Sequence, residues 1–307
     1  MTKALLRSLS SCSVVTILLL LVCGPAKAQL PVCTGPGSGL IYYLSGNNIM
    51  QWDPTLPFST TNPSINSIPY PPGAIGLAVS DNINGPGPSP TFYAVDGSNY
   101  YYWDGVTWVN TGHTAGAVNP GAGGGFCYSL IGSSGEVYKY NGTGNATLLV
   151  TIPDFQGQGP YDLVGDCEGN FYLLNTTANW LRKYNSAGVL VQTWTTSGGQ
   201  IGSAGGGMAI IGNMVYYDGT GGLWSGPMVG STITFTNLGT SLGPSDFASC
   251  SLGGSAPQTG INDTVYYCGK GPGIDLVSSG NEIDTISWVV ASGDAVLTGA
   301  GDTVTAT

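Results

Sequence analysis

Charged side chains are scarce in this chain of 307 residues, where Asp, Glu, Lys and Arg together make up only 8%. Basic residues are the scarcer kind, with seven Lys and Arg against seventeen Asp and Glu. An acidic surface repels polyphosphates and anionic membranes, so we expect no nucleic-acid partner. Because 42% of the residues are hydrophobic, the composition indicates a folded chain with a largely uncharged polar surface, and not a disordered one.

The chain also lacks the patterns of common catalytic and metal sites. It contains no His-Glu-x-x-His, Cys-x-x-Cys or EF-hand loop, so we expect no metal and no cofactor. The single histidine, His113, is predicted to lie in a solvated loop with no nucleophile or carboxylate beside it, which leaves a catalytic triad unsupported. Outside the N-terminus no segment shows a helical period of useful length, so the predicted class is all-β.

Residues 1–28 resemble a secretory signal peptide. Lys3 and Arg7 precede an apolar run at 14–22, and Ala26-Lys27-Ala28 forms an A-x-A cleavage site. The run is short for a membrane span, so we expect export without membrane insertion after cleavage. The protein is then secreted or placed at the cell surface, with four basic residues against seventeen acidic ones and a net charge of about −13.

One motif recurs five times: an apolar-Tyr pair opens a strand, and a Trp or Tyr closes the next strand. The opening tyrosines are Tyr42, Tyr93, Tyr128, Tyr172 and Tyr216, and the closing aromatics are Trp52, Trp103, Tyr140, Tyr184 and Trp224. The mean step of about 43.5 residues is the length of a four-stranded propeller blade. Within a copy the two aromatics are 8, 10 or 12 residues apart, and steps of two keep each side chain on its own face.

The sequence therefore predicts a β-propeller over residues 29–252, with five blades and six as the alternative. The late segment 245–250 has no hairpin of its own and matches the inner-strand pattern, so we expect it to complete the blade that begins near Gly39. Thr232–Phe235 is predicted as the outer strand of the fifth repeat. The glycine run at 121–125 is predicted to be a tight connection between blades.

Five cysteines remain after signal cleavage. Cys33 and Cys250 flank the two ends of the ring, so a disulfide between them would lock its closure. Cys127 and Cys167 lie in neighbouring repeats and are predicted as a second pair. Cys268 is left without a partner in this scheme.

A Gly/Ser/Pro-rich linker is predicted at 253–262, and a second pattern follows at 263–307. Its marks are Thr264-Val265-Tyr266-Tyr267-Cys268-Gly269 and Ile286-Ser287-Trp288. This part resembles a truncated PKD-like or Ig-like domain of the long secreted surface proteins of Bacteroidetes-type bacteria. The resemblance implies a β-sandwich and a propeller that is a monomeric unit within a longer multidomain chain.

Candidate site residues are few. Asp162, Asp166 and Glu168 cluster on and after one inner strand, and Asp246 occupies the position equivalent to Asp162; with Asp81, these carboxylates would be the axial candidates. Tyr102, Trp103 and Trp108 place aromatic rings on both faces of one hairpin, a pattern suited to sugars or to a protein partner.

Two functions follow from these features. The favoured one is an exported, non-enzymatic propeller that serves as a recognition or adhesion module for a glycan or a protein. The alternative is an extracellular hydrolase or lyase that acts on polysaccharide through axial carboxylates. The two differ in whether several of the candidate carboxylates converge on one pocket.

Overall fold

Short β-strands joined by tight turns make up the described part of the chain. The computed structural model describes residues 30–33, 39–45, 48–58, 64–69, 75–85, 87–155, 161–199, 206–219, 221–240, 246–250, 274–277, 297–300 and 303–306. The predicted signal peptide and the linker at 253–262 lie outside these ranges. Within them, no helix is long and apolar enough to cross a membrane.

The strands are β1 (Ile41–Ser45), β2 (Asn48–Trp52), β3 (Ser64–Pro69), β4 (Ile75–Ser80), β5 (Thr91–Val95), β6 (Asn99–Trp103), β7 (Trp108–Thr114), β8 (Asn119–Gly123), β9 (Phe126–Ile131), β10 (Glu136–Tyr140), β11 (Thr147–Thr151), β12 (Tyr161–Gly165), β13 (Phe171–Asn175), β14 (Trp180–Tyr184), β15 (Leu190–Ser197), β16 (Met208–Ile211), β17 (Met214–Gly219), β18 (Gly222–Pro227), β19 (Thr232–Thr234), β20 (Thr236–Gly239), β21 (Phe247–Ser249), β22 (Ile274–Val277), β23 (Leu297–Ala300) and β24 (Thr303–Ala306).

These strands form a five-bladed β-propeller, as the repeat predicts. From inner to outer strand, blade 1 is β21-β1-β2-β3, blade 2 is β4 to β7, blade 3 is β8 to β11, blade 4 is β12 to β15 followed by β19, and blade 5 is β16-β17-β18-β20. The inner strands contact one another in the cyclic order β21, β4, β8, β12, β16 and back to β21, which closes the ring.

The repeated aromatics are the packing residues between blades. Five hydrophobic clusters fill the five interfaces, one between each pair of neighbouring blades. In each blade the opening tyrosine points to the following blade and the closing aromatic points to the preceding one. Trp52 of blade 1 thus meets Tyr216 of blade 5 edge to face, with ring centroids 5.7 Å apart. The even spacing within the motif keeps the two aromatics on opposite faces.

Every blade ends in an outer strand that carries no Asp, Glu, Lys or Arg. Exposed strand edges are usually protected from pairing with other chains by such charges. Here the third and fourth strands of every blade are joined with a register shift, whereas β19, the fifth strand of blade 4, pairs with β15 without one. Because a bulge twists the edge and breaks its regular ladder, it protects the edge without charge.

Three predictions about local structure were wrong. Thr232–Phe235 is not the outer strand of blade 5: β19 pairs in parallel with β15 of blade 4, and β20 completes blade 5. The glycine run is not a connection, since Gly121 and Gly123 belong to β8, the inner strand of blade 3. A Cβ on Gly123 would stand 2.3 Å from the carbonyl oxygen of Asp166, so only glycine allows this approach between blades 3 and 4. His113 lies in β7, and its ring is 5.8 Å from that of Tyr140.

The two ends of the ring meet as predicted. β21 pairs antiparallel with β1, and Cys33 and Cys250 form a disulfide across 217 residues with a Cα–Cα distance of 5.3 Å. The predicted Cys127–Cys167 pair is wrong, because Cys127 is a buried free thiol. Its side chain packs with Ala78 and Tyr93 between blades 2 and 3, whereas Cys167 follows the inner strand of blade 4 and forms a disulfide with another residue.

At the C-terminus β22, β24 and β23 form a three-stranded antiparallel sheet with β24 in the middle. The residues that carry the PKD-like resemblance, among them Cys268 and Trp288, lie outside the described ranges. The Ig-like part of the fold prediction therefore stays a prediction.

Removal of the ring-closing disulfide is expected to destabilise the propeller. In the chain-entropy model a loop of this length contributes about 5 kcal/mol to the free energy of unfolding. The double variant Cys33→Ala/Cys250→Ala should lose most of that amount in urea denaturation followed by tryptophan fluorescence. Cys127→Ala is the control, since it removes a thiol without a cross-link and should cost less than half as much. Equal losses in both variants would contradict a role for the cross-link.

Candidate functional site

Two of the predicted carboxylates meet at the axis of the ring. Asp162 is the second residue of β12, and Asp246 immediately precedes β21. Their side chains are hydrogen-bonded to each other although they belong to blades 4 and 1, which are not neighbours. We call them the axial pair. The equivalence of the two positions was visible in the sequence, and the structure brings them together.

Each aspartate also binds the backbone of the following blade. Asp162 accepts a hydrogen bond from the Met208 amide of blade 5 (2.5 Å), and Asp246 accepts one from the Leu77 amide of blade 2. The second carboxylate oxygen of each accepts the amide of the next residue, Leu163 (2.8 Å) or Phe247 (3.0 Å). The axial pair therefore connects blades 1, 2, 4 and 5 through hydrogen bonds.

Glycines make room for the axial pair. Met208 and Leu77 are preceded by Gly207 and Gly76, at the positions where blades 4 and 1 carry their aspartates. A Cβ on Gly76 would lie 2.7 Å from a carboxylate oxygen of Asp246, and one on Gly207 would lie 2.6 Å from the Cα of Asp246. Side chains and backbone thus fill this end of the axis.

Burial raises the pKa of both carboxyls. Asp162 is 2% exposed, and loss of water together with the charge of Asp246 holds its pKa well above the usual range. The pKa of Asp246 is raised mainly by the same loss of water. Two carboxylates in hydrogen-bond contact cannot both ionise easily, so the pair holds one shared proton at mildly acidic pH. Glycoside hydrolysis uses carboxyl groups about 5–9.5 Å apart on either side of a sugar, which differs from this direct contact.

The other candidate carboxylates lie elsewhere. Asp166 follows β12 at its other end, where it accepts hydrogen bonds from the amides of Glu168 (3.0 Å) and Asn170 (2.9 Å) and lies 3.3 Å from Lys183 Nζ. Glu168 accepts from the Asn170 side-chain amide at 3.0 Å. Asp81 accepts from the Ser89 hydroxyl at 2.9 Å. These residues hold turns in place and do not join the axial pair.

The aromatic candidates are mostly packing residues. Trp103 is 2% exposed and lies in the core between blades 1 and 2, where its ring centroid is 5.7 Å from that of Trp108. Trp108 and Tyr102 are partly buried and pack against the cores on either side of blade 2. Of the three candidates, therefore, only Tyr102 and Trp108 offer part of a ring to a ligand.

Sequence reasoning missed a group of exposed aliphatic side chains on the outside of blades 3 and 4. Leu148 is 52% exposed, Val189 59%, Leu190 48% and Val191 56%. We call these four residues the outer apolar patch. Gly188 packs on Leu149 and Val150 so closely that a Cβ there would lie 3.2 and 3.1 Å from them, so the two segments touch. The sequence pattern that could have revealed the patch is a run of three consecutive apolar residues at 148–150 and another at 189–191. Successive residues of a strand face opposite sides, so all three cannot point into the core.

Small-molecule and metal sites are not prominent in the described residues. A cleft of about 40 Å³ lies between blades 4 and 5, lined by Thr176, Asn179, Thr196 and Tyr217 among others. Its volume is that of a few water molecules. No three His, Cys, Asp or Glu side chains in the described ranges are grouped to hold a metal ion.

Comparisons with known proteins find distant similarities. No family model matches the chain, and no curated protein matches its sequence. Similar solved structures include a nidogen/laminin complex (TM-score 0.38, 15% identity, 66% of this chain and 99% of that one), PorZ of Porphyromonas gingivalis (0.36, 14%, 70% and 26%) and U3-55K (0.40, 13%, 68% and 65%). This chain spans about a quarter of PorZ, a bacterial surface component of the type-IX secretion system. These are distant similarities to propeller proteins.

A test of the filled axis is Gly207→Ala. The added Cβ would stand 1.9 Å from the Phe247 amide nitrogen, a backbone atom that can move only if blades 5 and 1 separate. We expect a loss of about 3 kcal/mol or more in the free energy of unfolding, at the upper end of overpacking effects. Gly39→Ala is the matched control, because its Cβ would meet nothing closer than 3.9 Å. An equal effect of both substitutions in urea denaturation would show that the axis has spare room.

Proposed function

We propose that this chain is an exported, non-enzymatic propeller that acts as a recognition or adhesion module, and that its ligand is a protein. The observation that supports this most is the outer apolar patch. Single exposed aliphatic residues are ordinary, but here four lie in two segments that touch at Gly188, and grouped exposed apolar residues are typical of protein contact sites. Aliphatic side chains offer little to a sugar, which prefers aromatic rings and polar groups.

The distribution of charge also favours the side of the outer apolar patch as the contact surface. Lys139, Arg182 and Lys183, the basic residues of the described propeller, lie on β10 and β14, each one strand inside the patch. Arg182 binds Asp154 at 2.6 Å and Lys183 lies near Asp166, so the charges on this side nearly balance. On a mature protein with a net charge of about −13, this is the side that an acidic or neutral protein approaches with least repulsion.

The remaining features fit a binding module better than an enzyme. The predicted aromatic platform is largely committed to packing, which favours a protein over a glycan as ligand. Asp162 is buried, Asp246 is partly buried, and the pair is engaged with four backbone amides. A hydrolase that used the pair would need its two carboxyl groups to separate.

The test uses the mature protein on arrays of extracellular proteins and of glycans. The variant Leu148→Asp/Val191→Asp places two charges in the patch at residues more than half exposed, so the fold should tolerate it. Because a buried charge opposes docking, we expect binding to protein spots to fall at least tenfold.

The matched control is Val106→Asp/Val229→Asp, which changes two valines of similar or greater exposure, 83% and 62%, in blades 2 and 5. It should bind as the unmodified protein does. Binding confined to glycan spots, or an equal loss in both variants, would contradict the proposal.

A further inference from the structure

We propose that Asp162 and Asp246 form a proton-operated latch on the ring: with one shared proton the latch is closed, and loss of that proton loosens it. This device is independent of the proposed ligand. It rests on the position of two carboxyl groups that bind each other and each bind the next blade.

The contacts define what the latch holds. Asp162 ties blade 4 to the Met208 amide of blade 5, and Asp246 ties blade 1 to the Leu77 amide of blade 2. The hydrogen bond between Asp162 and Asp246 connects the pair of blades 4 and 5 to the pair of blades 1 and 2 across the axis. That bond needs a proton, since two ionised carboxylates have acceptors only. Once the proton leaves, two like charges remain in contact in a buried site, and their repulsion acts directly on the blade contacts.

The described inner strands bring no basic side chain to this pair. The inner strands β4, β8, β12, β16 and β21 contain no Lys, Arg or His. Asp166 and Asp81 lie beyond the far ends of β12 and β4, where Lys183 and the Ser89 hydroxyl contact them. Tyr161 precedes Asp162, but its ring packs on Phe155 at 5.3 Å. Asp218 on β17 is 1% exposed and its amide donates to Gly207 O at 3.1 Å, so blade 5 brings another acid, and not a base, to the strand beside Gly207.

The sign of the pH effect follows from the shared proton. In the unfolded chain an Asp loses its proton near pH 3.9, whereas in the folded ring burial and the partner charge keep one proton bound to a higher pH. Between these values the folded state binds more protons, so stability falls as pH rises. The stabilisation is complete below about pH 4 and is lost when the pair gives up its last proton.

The experiment is urea denaturation of the whole protein from pH 4 to pH 8, compared between the unmodified protein and Asp246→Asn. The amide can still donate to Asp162 and does not titrate. In the unmodified protein the unfolding constant should rise by up to tenfold per pH unit within the window, the limit for one proton. Asp246→Asn should be less stable at pH 5, because it loses one acceptor, but its slope should be flatter by that one proton.

Asp162→Asn is the second variant and should flatten the slope in the same way. Asp154→Asn is the control: it removes an acid on the surface whose pKa is lowered by Arg182, so it should leave the slope above pH 5 unchanged. Hydrogen exchange gives a local readout: protection of the Leu77 and Met208 amides should fall from pH 5 to pH 8 in the unmodified protein and in Asp154→Asn, but not in the two axial variants. Slopes and protection that match among all four proteins would overturn the latch.

Discussion

The close approach of the inner strands at the axis is the constraint on which the rest of the ring depends. Blades 3 and 4 touch backbone to backbone: a Cβ on Gly165 would lie 2.5 Å from the carbonyl carbon of Ala122, and Gly123 is equally crowded against Asp166. Five sheets can surround so narrow an axis only if small residues face it. The space between blades widens outward, and the large aromatics fill it there. The same tightness buries Asp162 and partly buries Asp246, and this loss of water raises the pKa of both carboxyls.

A low density of charged side chains is the second general feature of the molecule. A protein with few charges cannot protect its strand edges with lysines, and here a bulge in each blade takes that role. Because charged residues are few, a small group of basic side chains is enough to distinguish one side of the propeller from the rest. The described basic residues of the propeller lie in blades 3 and 4, beside the outer apolar patch, and this side differs from the acidic remainder.

The features that the sequence predicted are those that repeat. Tyr42 and Trp52 recur with fixed parity in five copies, and this parity is the packing rule of adjoining blades. Cys33 and Cys250 were predictable because ring closure brings the chain ends together. The outer apolar patch and the contact between Asp162 and Asp246 were not fixed by the repeat, because each joins residues of different blades through the exact distance between strands. Cys127 was misassigned for the same reason: position along the chain did not reveal which neighbouring blade its side chain faces.

Strand β19 has a consequence for how the molecule comes apart. It belongs in sequence to blade 5 but hydrogen-bonds in parallel to β15 of blade 4, between Thr195–Ser197 and Thr232–Thr234. Blades 4 and 5 therefore share backbone hydrogen bonds at their outer edge, while most other neighbours are held by side chains. When the molecule unfolds partially, blades 4 and 5 should therefore open together as one cooperative unit. The five blades are similar in sequence, but the interfaces between them differ in how readily they open.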